Sequence, residues 1–145
     1  MGDRIQEKLH RINYLTAEMN ALYHQASLKL GLSDSEMMIL YALYDSGGSC
    51  MLSEICGKSG ISKQTVNSAI RKLEKEEIVY LEKSTGKFKK VFFTEHGKDY
   101  AEQTVARLFA AETEVFSDWK EEEIDGHIGY VEKYISSFKK QIETL

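Results

Sequence analysis

Between residues 4 and 30 the apolar side chains recur in steps of three and four: Ile5, Leu9, Ile12, Leu15, Met19, Leu22 and Ala26. Tyr14 and Tyr23 stand beside them. This spacing predicts one long amphipathic helix, with Gly31 to end it. The string "SDSE" then offers a capping box, Ser33 with Glu36, for a second helix to about Asp45. Its interior, "MMILYALY", is apolar on nearly all sides, which places it at the centre of the core. "SGGS" breaks it. A short segment from Cys50 to Leu52 leads to a third helix, about Ser53 to Lys58, and "SGIS" is a turn. Ser62 is placed to cap a fourth helix from about Lys63 to Glu76. The β-prone runs Ile78 to Lys83 and Lys89 to Phe93 flank "STGK", a hairpin signal. Thr94 caps a further helix to about Trp119. A last helix, about Glu122 to Leu145, presents Ile128, Val131, Tyr134, Phe138 and Ile142.

The expected fold is mainly α with a small β-hairpin. Its winged helix-turn-helix, residues 32–97, is flanked by N- and C-terminal helices, 1–31 and 98–145, in a single domain spanning 1–145. The outer helices are longer and more apolar than so small a module needs. A dimer interface is the simplest use for them, so a homodimer through the terminal helices is expected.

Charge sharpens the picture. The chain carries −4 overall, yet between Lys58 and Lys90 nine Lys or Arg face four Glu. An acidic protein with one basic segment fits a polyanion contacted locally. The fourth helix shows how. Val66, Ala69, Ile70 and Leu73 form its apolar stripe, and Gln64, Asn67, Ser68 and Arg71 occupy the opposite face, with Lys63 and Thr65 in the first turn. Amide side chains can bond an adenine edge, and Arg can bond guanine O6 and N7. Ser62 and Thr65 suit phosphate contacts, which position without reading sequence. Lys72 extends this basic face, and Lys87, Lys89 and Lys90 surround the hairpin tip.

The stretches "LSDSEMMILYAL" and "LSEICGKSGISKQTVNSAIRKLEKEEIVYLEKSTGKFKKVFFTEHG" together resemble the MarR family of bacterial winged-helix transcriptional regulators. The resemblance implies a cytoplasmic homodimer on double-stranded DNA. Each subunit would set the helix from Lys63 to Glu76 in a major groove, at half-sites of a pseudo-palindromic operator about one helical turn apart. It implies a repressor, released by a small amphipathic or phenolic ligand. The family wing carries an Asp-x-Arg pattern where this chain has "STGKFKK". Lys87 or Lys89 would act there as a point charge rather than a bidentate fork.

For a ligand, Tyr14, Met19, Tyr23, Met37, Met38 and Tyr41 are the candidate pocket residues, since aromatic and methionine side chains suit a flat molecule. Cys50 and Cys56 are expected as small packing residues rather than redox sensors. Two cysteines without a signal peptide point to a reducing cytoplasm. The four histidines lack metal spacing, so neither metal nor cofactor is expected. No run of about 18 apolar residues is available to span a membrane. No catalytic motif stands out, and an enzyme is not expected. The residues leave one alternative open: a helical interaction module of the same fold without DNA binding.

Overall fold

Three hydroxyls start three of the helices. The oxygens of Ser33, Ser62 and Thr94 accept from the backbone N–H of Glu36 (3.1 Å), Thr65 (3.3 Å) and Gly97 (2.8 Å). Each satisfies a donor that the first helical turn leaves orphaned. The computed structural model describes residues 2–83 and 89–145. Its elements are α1 (Gly2–Leu30), α2 (Asp34–Asp45), β1 (Ser49–Met51), α3 (Leu52–Ser59), α4 (Lys63–Lys75), β2 (Val79–Lys83), β3 (Lys89–Phe93), α5 (Glu95–Gln103), α6 (Val105–Val115), a 3-10 turn (Phe116–Asp118) and α7 (Glu121–Ile142). They fall into two compact units, Met1–Leu108 and Phe109–Leu145. No helix among the described residues is long and apolar enough to cross a membrane.

In the first unit the three strands pair antiparallel in the order β1-β3-β2, with Cys50 opposite Val91 and Leu81 opposite Val91. One face of this sheet, carrying Cys50, Val79, Val91 and Phe93, joins the core. The centre of that core is α2, whose Ile39, Leu40 and Leu43 are fully buried, as its sequence predicts. Ile55 of α3 and Val66, Ile70 and Leu73 of α4 close around it. Gly60 turns the chain from α3 to α4. Its left-handed backbone (φ 68°) lets its N–H reach the Cys56 carbonyl at 3.1 Å, which ends α3 within one residue.

A knot at the end of the sheet joins α4, β2 and α5. The Thr94 hydroxyl donates to the Glu77 carbonyl, and the Thr94 N–H donates to Ile78 O at 3.1 Å. This draws the first turn of α5 onto the Ile78 backbone. A Cβ on Gly97 would lie inside van der Waals contact of that carbonyl, so "TEHG" needs its glycine for close approach.

A second knot fixes α1 against α2. The Ser27 side chain is buried, with its Oγ 2.5 Å from Asp34 Oδ1, and His24 Nδ1–H donates to Asp34 Oδ2 at 2.9 Å. The Ser27 hydroxyl and His24 together hold the Asp34 carboxyl below its ordinary value of 3.8. Serine, histidine and aspartate meet here without making a nucleophile. The Ser27 hydroxyl donates to the carboxylate and to the His24 backbone carbonyl, whereas an activated serine would donate to the imidazole.

The helix expected from Thr94 to Trp119 is broken. Thr104 leaves the helical region (φ −122°, ψ −93°), its hydroxyl donating to the Tyr100 carbonyl at 2.7 Å and its N–H to Ala101 O at 3.2 Å. The side chain supplies the bond the i−4 ladder would have made, and the backbone departs. In the second unit Trp119 packs edge-on to Phe116 (4.9 Å) and to His127 (5.8 Å), and the Glu123 carboxylate accepts from Lys120 N–H at 3.0 Å to start α7.

Gly97→Ala is expected to destabilise the protein by about 1–3 kcal/mol or more, because backbone rather than a flexible side chain must move. A urea midpoint equal to that of the wild type would contradict the close approach. Asp34 carries a depressed folded pKa, so its contribution is complete above the ordinary value and fades as pH falls through the folded one. Asp34→Asn should therefore flatten the loss of stability as pH falls below the ordinary carboxylate range. Urea midpoints at neutral and at acidic pH, compared with the wild type, check it.

Candidate nucleic-acid interface

Successive residues of α4 are turned by about 100° around its axis. With Val66, Ile70 and Leu73 facing inward, the polar side chains therefore divide into three flanks. Lys63, Asn67, Arg71 and Glu74 lie on the flank beside the sheet. Gln64, Ser68 and Lys75 form the crest facing away from the core. Thr65, Lys72 and Glu76 lie on the flank toward α2.

The sheet-side flank opens onto a cleft of about 520 Å³ between α3, α4 and the hairpin. Met51, Leu52, Ile70 and Leu81 give it an apolar lining, and Lys63, Asn67, Arg71 and Lys89 bring cations and an amide to it. Lys89 reaches it from β3, so sequence positions 26 residues apart share one surface. Glu74 lines it too, a residue not among those expected for the site. Its position three residues after Arg71 and seven after Asn67 was the available signal. The first turn of α4 contains no acidic residue, so its N-terminal partial charge and Lys63 both remain available to an anion.

Other expected site residues are placed differently. Ser62 and Thr65 are engaged with each other at the cap, the Ser62 hydroxyl donating to Thr65 Oγ1 at 2.9 Å. Lys72 donates to Glu36 Oε1 at 2.8 Å and lies 3.9 Å from Glu76. Its hydrogen bond and charge interaction with Glu36 hold the ammonium above the ordinary lysine range. Lys90 follows Lys89 on a strand and so points to the opposite face of the sheet. There it sits over the Phe92 ring at 5.4 Å, and Phe92 stacks on Tyr80 at 5.1 Å. Lys87 lies outside the described residues.

The proposed ligand residues do not share one environment. Met37 is in the core at 4% exposure, Tyr41 is half-buried, and Tyr14, Met19, Tyr23 and Met38 lie at exposed positions. Cys50 is buried, and burial pushes its thiol up, away from the reactive thiolate; Cys56 is half-buried beside the α4 cleft. Among the described residues no group of three or more His, Cys, Asp or Glu could hold a metal ion.

Residues 30–87 match the family model described as MarR family. No curated protein sequence matches the chain. Among solved structures, a MarR family regulator from Neisseria meningitidis superposes with a TM-score of 0.84 at 17% identity, covering 94% of this chain and 96% of that one. The S. aureus MepR–DNA complex gives 0.66 at 19% identity, over 89% and 96% of the two chains. Bordetella bronchiseptica BpsR, solved to explain regulation of its DNA binding by 6-hydroxynicotinic acid, gives 0.64 at 18%, over 87% and 98%. At these identities the structural likeness is one of fold. Over residues 30–87 the chain is similar to the MarR family, and its fold is the MarR-type winged helix.

Proposed function

We propose that this protein is a sequence-specific DNA-binding repressor. It acts in the cytoplasm as a homodimer, with α4 of each subunit in a major groove of a pseudo-palindromic operator. The observation that carries the reading is the convergence of Lys63, Asn67, Arg71 and Lys89 on one cleft, beside the exposed Gln64 and Ser68. Asn67 and Arg71 are base-reading types, and Lys63 and Lys89 neutralise phosphates.

Two exposed apolar stripes support the dimer. On α1, Ile5, Leu9, Ile12, Leu15, Met19 and Leu22 are exposed; on α7, Ile128, Val131, Tyr134, Ile135, Phe138 and Ile142 are. Their three- and four-residue spacing makes each a continuous strip that a second copy would cover. Release by a small amphipathic or phenolic ligand belongs to the same proposal, and the likeness to BpsR supports it.

Selection of binding sites from random-sequence duplex DNA should enrich an inverted repeat, and sedimentation should give a dimer. Arg71→Ala should relax the enriched sequence and weaken binding by about 1–3 kcal/mol. Lys89→Ala should weaken binding to all sequences and reduce the salt slope by about one. A folded dimer that enriches nothing would contradict the proposal and favour an interaction module of the same fold.

A further inference from the structure

Lys72 sits next to Arg71 in sequence, on the best-placed helix in the molecule for phosphate contact, yet its ammonium is already held. Glu36, at the start of α2, is its partner. That carboxylate is nine-tenths buried, and one oxygen takes both Lys72 Nζ at 2.8 Å and the Ser33 hydroxyl at 3.1 Å. Glu76 adds a second carboxylate 3.9 Å from the same ammonium. A lysine between two carboxylates presents little net charge to a phosphate. Burial, together with the charges of Glu36 and Glu76, pushes the Tyr100 hydroxyl of α5 above its ordinary value.

We infer that Glu36 and Lys72 are positioning residues for base reading: the pair sets the roll of α4 about its own axis, and with it the direction of Asn67 and Arg71. The inference rests on the DNA-reading proposal above. The stripe of Val66, Ile70 and Leu73 holds α4 against the core, but apolar contacts are non-directional and tolerate small rotations. The Lys72 side chain is 59% exposed, but the Glu36 carboxylate is buried and has few favourable places for its cation, and a buried polar group can select one packing among near neighbours. Lys72 is on the α2 flank of the helix and Asn67 and Arg71 are on the sheet flank. A roll that loosened the first would displace the other two.

Two roles for Lys72 predict opposite signs. If it contacted phosphate, Glu36→Gln would free its charge and tighten binding to any duplex, and Lys72→Met would lower the salt slope by about one. As a positioning pair, each single change should cost about ten-fold in preference for the wild-type-enriched duplex over a scrambled one, with unchanged slope. The double variant should lose no more than the worse single, because Lys72→Met alone leaves a buried carboxylate with the Ser33 hydroxyl but without its cation. Lys72→Arg keeps the pair and should keep the preference.

The measurement is fluorescence anisotropy on both duplexes across a salt series, with amide hydrogen exchange of the free protein alongside. Faster exchange in α4 of Glu36→Gln than in its α2 and α5 would show the loosened helix without DNA. Tighter binding by Glu36→Gln, a reduced slope in Lys72→Met, or wild-type preference in both would overturn the inference. Loss of preference in Lys72→Arg would also overturn it. A wild type that enriches no duplex would remove the DNA reading itself, which is a different result from variants that match a wild type that binds.

Discussion

The placing of the DNA-reading face depends on the burial of three side chains, Val66, Ile70 and Leu73 of α4, all nearly inaccessible. A helix of 13 residues is marginal in water by itself. Its existence rests on laying that stripe against α2 and the sheet, at about 1.5–3 kcal/mol for each side chain buried. The same burial turns the opposite side of α4 outward, because helical geometry allows only one face to be inside. Fold and interface are therefore one constraint. A change that loosened the stripe would also misdirect the groups available to DNA.

The polar side of α4 is not uniform. Side chains beside the sheet share a cleft with Lys89, those on the crest face away from the core, and on the flank toward α2 Lys72 is held by Glu36. The sheet sorts its own lysines in the same way, Lys89 to the cleft and Lys90 to the ring of Phe92 on the other face. Basic residues that look equivalent along the chain thus have different employment in space. A local cationic surface within a chain of net charge −4 suits a partner approached through one face, with the acidic remainder opposing indiscriminate binding elsewhere.

Much of the fold was legible from local chemistry. The hydroxyls at Ser33, Ser62 and Thr94, the run "MMILYALY" and the β-prone segments around "STGK" are short-range patterns, legible from near neighbours along the chain. The break at Thr104 was hidden because Val105 and Leu108 continue the helical period across it. The cleft was half legible: the face of α4 follows from its period, but Lys89 joins it only through the strand register. The pairing of Lys72 with Glu36 was invisible, since the partners are 36 residues apart and nothing nearby marks either as held. Tyr14 and Met19 illustrate a further limit: apolar residues on an amphipathic helix read alike whether they line a pocket, a core or an exposed strip.

The central claim is that α4 and the adjoining sheet edge meet duplex DNA. Amide chemical shifts of the labelled protein, followed as random-sequence duplex is added at low salt, test it most directly. Perturbations concentrated between Ser62 and Lys75 and on the β2 and β3 strands, reversed by salt, are the predicted result. Shifts confined to α1 or α7, or none at a duplex concentration that saturates ordinary non-specific binding, would contradict it.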